Sequence, residues 1–422
     1  MIVKGKKPPT ESESKGSSRL INNFYKPEVN YAMQRNRWLL KVLGLWPKSY
    51  VEKNWLERNV AHVLELLCIW LLAIVLVSCS LYTFLKETNP AIKVQLIGVI
   101  SFIVMSIIKY GSLIRERQTI GHCINDLVAD WTRLIDPEER KIMYDHALLV
   151  RHGTTLCTCF AWAALFFYVC ILPILTGDII IPDTNVTIRP LPLPVYFPLF
   201  NAQISPAYEI VFALQFCASF VMHSTAAASC SLAILFVMHS CGQLDIVNLW
   251  LKRLVDDDGD YLIDCNLDAT LGIIIDQHVR TLGFISRTEQ VLRNICLVEL
   301  LGSTLNLCLL GFDLLMQWKH SDPIAMLTFA VLIVSFLFNI FSFCYIGEIL
   351  TEKCQKVGEK TYMIDWYKLP SKTALGLTLT IATADRPITI TAGKMTNLSL
   401  TTFFSVIKTA IGYFNILRTF AA

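Results

Sequence analysis

The chain has 422 residues, 37 of them Lys or Arg and 34 Asp or Glu, for a formal charge of +3; 54% are hydrophobic and only 17% charged, and the mean hydropathy is +0.50. These values exclude an ordinary soluble globular domain, in which charged residues make up about a quarter of the chain. Seven stretches, 60–85, 91–113, 153–176, 207–238, 291–316, 323–350 and 397–420, are each long enough to cross the hydrocarbon, which takes roughly 20 helical residues.

Residues 1–59 are basic and polar, and no cleavable signal peptide precedes the first span. The Lys/Ser/Pro-rich start from Lys4 to Arg19 is expected to be disordered. Lys and Arg alternate between successive connections: 12 before the first span, two around its exit (Lys86, Lys93), seven over 109–151, one at Arg189, five over 239–293, one at Lys319 and five from Lys353 to Lys372. Positive charge collects on the cytoplasmic side. The reading is therefore an all-α, polytopic membrane protein with seven transmembrane helices, N-terminus cytoplasmic and C-terminus extracellular.

That topology puts loop 177–206 outside, where Asn185-Val186-Thr187 makes Asn185 a glycosylation acceptor. A second match, Asn397-Leu398-Ser399, is discounted because it opens a span. None of the 14 cysteines falls in a predicted outer loop, so they read as small buried hydrophobes and not as a disulfide framework. Cys157-Thr158-Cys159 lacks further ligands at metal-binding spacing, and no metal or cofactor is expected. Inside, 114–152 is helical in pattern with a break at Asp136-Pro137. The 239–290 stretch holds an acidic turn, Asp256 to Asp260, that lacks the glutamate of a calcium loop. Both segments are expected to extend the spans into a cytoplasmic bundle, with the fourth projecting as a straight helix.

No hydrolase elbow, phosphate loop, metalloprotease or dinucleotide motif is present, so the chain does not read as an enzyme. Glu65, Gln215, His223, Glu299, Asn306 and Asn339 lie singly within spans and are assigned to helix–helix hydrogen bonding. Asp313 and Gly347-Glu348 sit near membrane edges, where hydration is cheap. Aromatic residues crowd the outer halves of several spans. Phe102 in the second, Trp162 and Phe166 in the third, Phe212, Gln215 and Phe216 in the fourth, and Phe329, Ile333 and Phe336 in the sixth suit a small, volatile, mostly apolar ligand. The alternative for each is lipid contact or packing.

The last span carries a polar stripe. On a helical wheel Ser405, Thr409, Gly412, Ile416 and Thr419 fall within about 100° of Thr402. Five of these six are small or hydroxylated, and Ile416 is the apolar exception near the end. Such a face suits a water-filled oligomeric pore in which one apolar ring closes the path by dewetting. Helix–helix packing by small residues is the other reading. Lys408 lies beside the stripe, where its charge faces a neighbouring helix or lowers conductance.

From Cys344 onward the chain resembles the insect odorant receptors through Gly347, Leu350, Trp366-Tyr367, Pro370, Arg386-Pro387, Thr391-Ala392-Gly393 and Tyr413-Phe414. Leu43-Gly44-Leu45-Trp46-Pro47 is similar to the motif these receptors carry before their first span. The resemblance implies a subunit of a tetrameric, odorant-gated, non-selective cation channel in a sensory-neuron plasma membrane. Its partners would be an odorant co-receptor, membrane lipids, permeant cations and a small volatile ligand; no nucleic acid is implied. It also implies a seventh helix split into a cytoplasmic part, about 372–385, and a pore-lining part, about 397–420, with the gate at Ile416. Residues 351–396 become a cytoplasmic anchor region, in which Trp366, Tyr367 and Leu369 are expected at subunit contacts. The co-receptor carries a long insertion before its fifth span that 239–290 is too short to match, so a tuning subunit is the better fit. A gustatory-type receptor is the nearest alternative. A metabotropic seven-helix receptor requires the opposite topology, and neither Asp-Arg-Tyr after the third span nor Asn-Pro-x-x-Tyr in the seventh is present.

Overall fold

The computed structural model describes residues 26–47, 55–177, 179–180, 187–198, 200, 202–254, 267–320 and 323–421. The acceptor Asn185, the acidic turn 256–260 and the start from Lys4 to Arg19 lie outside them. In chain order the helices are α1 (Lys26–Val42), α2 (Trp55–Leu81), α3 (Pro90–Arg115), α4 (Arg117–Arg133), α5 (Pro137–Phe166), α6 (Leu172–Thr176), α7 (Ala207–Arg253), α8 (Leu267–His320), α9 (Pro323–Met363), α10 (Ser371–Ala384) and α11 (Leu400–Ala421). Single π-helical turns follow α2 and α5, and a 3-10 turn covers Trp366–Lys368. Two short antiparallel pairs complete the described residues: β1 (Ile179–Ile180) with β2 (Thr187–Ile188), and β3 (Thr391–Ala392) with β4 (Thr396–Asn397). Among the described residues seven helical segments are long and apolar enough to span a membrane, and each overlaps one of the seven stretches picked out by hydropathy, the last beginning at Leu400 and not at 397. The chain is a multi-pass membrane protein.

Spans and extensions are continuous helices. Residues 267–320 form one helix, α9 runs unbroken past 350 to Met363, and α5 enters its span directly from Pro137. The expected boundary at 350 therefore falls inside a helix. Asp136 caps α5: its Oδ1 accepts from the Glu138 backbone N–H at 3.0 Å. That hydrogen bond and the Arg253 guanidinium hold its carboxyl below the usual carboxylate range.

The bundle is built around α7, which is buried along most of its length. Its middle, Ala226 to Cys230, is all small, so neighbouring backbones can approach closely. Gly153 of α5 lies where a Cβ would be 3.2 Å from Ile234, and a Cβ on Gly242 would stand 2.7 Å from the Met143 sulfur. Beyond the apolar stretch, ion pairs join the extensions: Asp245 with Lys353 at 2.6 Å and His146 at 3.0 Å, Asp126 with Arg287 at 2.6 Å, and Asp130 with Arg280. We call this the anchor end, and the opposite end, which carries the 178–206 connection, the loop end.

α1 was not anticipated. It lies in the polar leading segment, yet Val29, Ala32, Met33, Leu39 and Leu40 bury one face against α5 and α7. The turn after it explains the Leu43-Gly44-Leu45-Trp46 motif. Gly44 has φ +71°, and a Cβ there would meet the Ala61 carbonyl at 2.7 Å. The Leu43 carbonyl accepts from Tyr110 at 2.8 Å, and that of Gly44 from Arg117 at 2.6 Å.

The seventh helix is split, as the resemblance implies. α10 and α11 are separated by the β3–β4 hairpin, which is pinned to α8: the Gly393 N–H donates to the Arg293 carbonyl at 2.9 Å and Thr391 to Glu289 at 2.6 Å. The start of α11 is seated on α9, where Glu348 accepts from the Leu400 N–H at 3.1 Å. A Cβ on Gly347 would stand 2.5 Å from the Leu398 carbonyl oxygen. Gly347→Val should therefore destabilise the protein by about 1–3 kcal/mol through overpacking against fixed backbone. Gly111→Ala, whose new Cβ meets nothing within 4 Å, should be neutral or stabilising by up to about 1 kcal/mol. Thermal melts of the detergent-solubilised protein would check both.

Candidate ligand cavity and pore helix

A cavity of about 720 Å³ lies between α3, α5, α7, α8 and α9, toward the loop end. It exists because small side chains face each other across the bundle. Ala161 and Ala164 of α5 and Ser219, Ala226 and Ala227 of α7 leave space that longer residues would fill. Aromatic walls enclose that space. Phe102 packs edge-on to Phe336 at 5.8 Å and lies 5.4 Å from the His223 ring, and Phe160 stacks on Phe338 at 4.2 Å. Polar groups are few, and several are already engaged. Asn306 donates to Ser101 at 3.1 Å and to the Gly302 carbonyl at 2.8 Å. His223 pairs through Nδ1 with the Ser219 carbonyl at 2.8 Å.

Behind Asn339, which lines the cavity, lies a charged network. Lys109 of α3 and Glu299 of α8 form an ion pair with side chains 3% and 1% exposed, among the most enclosed charges in the protein. Ser303 and Asn339 donate to the same carboxylate at 2.8 and 2.7 Å. The pattern of positive charge across loops had counted Lys109 as a loop residue. It is instead the buried partner of Glu299, and the alternation does not depend on it.

Of the nine residues proposed from sequence, Phe102, Phe329 and Phe336 line this cavity. Six do not. Phe166 is 50% exposed on the outer surface of α5. Phe212 packs on Tyr208 at 6.2 Å, and Phe216 is half-buried away from the void. Trp162 lies against Trp38 and Phe220 and donates to Ser224 at 3.4 Å. Ile333 packs on the core. Gln215 is fully buried and holds the loop instead, exchanging hydrogen bonds with the Leu193 N–H at 3.2 Å and carbonyl at 2.8 Å. Sequence reasoning missed the wall contributed by α8, including Leu309 and Asp313. The signal available was Asp313 itself, an acid inside an apolar run, but it was read as a hydrated edge residue. The structure buries it.

α11 buries Val406 and Ala410, half-buries Phe403, Ile407 and Phe414, and turns this face to α8 and α9. The stripe lies elsewhere. Ser405, Thr409, Gly412, Ile416 and Thr419 are exposed, and only Thr402 is half-buried. The Ser405, Thr409 and Thr419 hydroxyls donate to their own helix's carbonyls four residues back, at 2.9, 2.8 and 2.9 Å. Packing within the subunit therefore does not account for the stripe. At the anchor end Trp366 and Tyr367 are 49% and 69% exposed, edge to face at 6.3 Å, and Leu369 is half-buried. Among the described residues no group of three or more His, Cys, Asp or Glu is placed to hold a metal ion.

Comparison with known proteins gives a consistent assignment. The family model described as 7tm Odorant receptor matches residues 91–411. Odorant receptor 10 of Aedes albopictus is 24% identical over 266 residues, 63% of this chain and 65% of that protein. Odorant receptor 13a of Drosophila melanogaster is 24% identical over 269 residues, 61% and 64% of the two chains. The matched stretch thus spans just under two thirds of these relatives. The solved olfactory receptor OR5 of Machilis hrabei in complex with eugenol superposes with a TM-score of 0.75 at 15% identity, covering 96% of this chain and 99% of that one, so the fold is shared along the chain. With more than half of its length matched by the family model, the chain belongs to the 7tm Odorant receptor family of insects.

Proposed function

We propose that this chain is a tuning subunit of an odorant-gated, non-selective cation channel in a sensory-neuron plasma membrane, assembled with an odorant co-receptor. Its N-terminus and anchor end are cytoplasmic, and its loop end and C-terminus are extracellular. The observation that carries the reading is the exposed hydroxyl stripe of α11. In lipid the acceptor lone pairs of these hydroxyls, whose protons are already given to their own helix, go unmet, whereas around a central axis they meet water. The cavity supports the other half of the reading, because it has the size and the apolar, aromatic lining of a small-molecule site. That OR5 was solved in complex with eugenol is in keeping with a ligand of this size.

Ligand binding gates the pore by favouring whichever state binds it more tightly. Ile416, 52% exposed on the stripe, forms an apolar ring with its counterparts in neighbouring subunits. The ring excludes hydrated cations when narrow. Trp366 and Tyr367, costly to leave in water, pack against neighbouring subunits at the anchor.

Four measurements test this. Phe336→Ala should raise the half-maximal concentration of an activating odorant by roughly tenfold or more, whereas Phe166→Ala on the outer surface should leave it unchanged; equal effects would move the ligand elsewhere. Ile416→Ser should raise current in the absence of odorant, and a cysteine introduced at 416 should react faster with a charged thiol reagent while odorant is present. A rate indifferent to odorant together with normal basal current would make Ile416 a packing residue. Trp366→Ala should weaken co-purification with the co-receptor by an interface hot-spot effect of about 2 kcal/mol, read as loss of tetramer on dilution; undiminished tetramer would place this segment outside the interface.

A further inference from the structure

Five carboxylic acids are buried among the described residues: Glu116, Asp130, Glu139, Glu299 and Asp313. Four are occupied. Glu299 pairs with Lys109, Asp130 with Arg280 and His239, Glu116 with Arg115, and Glu139 accepts from the Trp250 indole at 2.5 Å. Asp313 of α8 differs. It is 7% exposed and has neither a hydrogen bond nor an ion pair among the described residues. It also lines the large cavity.

An isolated carboxylate in an apolar enclosure is unfavourable unless a cation or a set of donors meets it. His223 in the lining is engaged through Nδ1 with the Ser219 carbonyl, and Lys109, behind the lining, is committed to Glu299. A ligand can supply what the protein does not. An ammonium group brings opposite charge and several N–H donors, and charge-assisted hydrogen bonds are about twice as strong as neutral ones. Gln95 and Gln317 line the same cavity and add amide oxygens that can accept further N–H groups. The remaining walls, Phe102, Phe329 and Phe336, suit an apolar body.

We propose that the cavity takes a small volatile amine, its ammonium group seated on the Asp313 carboxylate and its hydrocarbon body against Phe102, Phe329 and Phe336. This rests on the cavity being the ligand site and adds the chemical class of the ligand. A neutral alcohol of the same shape leaves the carboxylate without a counter-charge, and a hydrocarbon leaves it with no partner at all. Asp313 is then the residue that sets specificity, while the aromatic walls set size.

The test uses cells expressing the full chain with an odorant co-receptor and three matched sets of probes: benzylamine, benzyl alcohol and toluene; 2-phenylethylamine, 2-phenylethanol and ethylbenzene; cyclohexylamine, cyclohexanol and methylcyclohexane. Evoked current is read against concentration, with surface labelling to follow expression. In at least one set the amine should act at a concentration tenfold or more below its alcohol and hydrocarbon. Asp313→Asn, nearly the same shape without the charge, should bring amine and alcohol within about twofold of each other, chiefly by weakening the amine. If Asp313→Asn does not reach the surface, Asp313→Glu is read instead, and it should shift the amine more than the alcohol. The proposal is overturned if no amine is preferred in any set, or if its preference survives Asp313→Asn. An equal shift of amine and alcohol by Asp313→Glu overturns it too. Phe336→Ala separates the two levels of the argument. If it weakens whichever probe is active while no amine is preferred, the cavity is the ligand site and only the amine assignment fails. If it moves no active probe, the ligand site itself is elsewhere.

Discussion

Close packing against α7 is the constraint on which the rest of the subunit depends. Lipid is as apolar as leucine, so no hydrophobic force draws helices together within the hydrocarbon, and contact area must do so. The run of alanine, serine and cysteine through the middle of α7 lets α5, α8 and α9 lie close enough for that contact. The same small side chains have the opposite consequence nearer the loop end. There Ser219, Ala226 and Ala227 face Ala161 and Ala164 without larger residues between them, and a cavity opens. One compositional device thus closes the anchor half of the bundle and hollows the loop half.

α9 joins that hollow to α11. It carries Phe329, Phe336 and Asn339 along the cavity and, further on, Gly347 and Glu348 against the start of α11. From Phe336 to Glu348 is 12 residues, about 18 Å of continuous helix. The two glycines of the C-terminal motif have a shared physical reason. Gly347 admits the Leu398 backbone, and Gly393, with φ +61°, admits Leu297 where a Cβ would stand 2.8 Å from it. α11 is therefore held at its start by backbone contacts to the helices that wall the cavity, while most of its polar face stays clear of them. Under the proposed gating, a displacement of α9 would reach α11 through this close seat.

What the sequence disclosed and concealed follows from the same physics. Hydropathy located all seven spans because hydrocarbon thickness fixes their length. The stripe on α11 was legible because residues at helical spacing share one face, and the structure leaves most of that face exposed. The cavity was legible only in part. Phe166 and Phe336 are the same residue type in similarly apolar helices, yet one faces outward and the other faces the void. Periodicity cannot tell those faces apart when both are hydrocarbon-like. Lys109 and Asp313 were misread for a related reason. Near the ends of a span a charge is cheap if it reaches water, and only tertiary packing shows that neither does. α1 escaped notice because its mean composition is polar, and its buried face emerges only against α5 and α7.

The Lys109–Glu299 pair shows how the cavity keeps its shape. A buried ion pair is a poor source of stability, since removing two charges from water offsets most of their attraction. Its value lies in specifying geometry. Glu299 receives Lys109 from α3, Ser303 from its own helix and Asn339 from α9, so three helices meet at one carboxylate. A slide of α9 relative to α8 would strip a donor from that carboxylate, and a slide of α3 would leave a bare charge in hydrocarbon. The three helices behind Asn339 are thus fixed in register by electrostatics, while the cavity walls are held by softer contacts between aromatic rings.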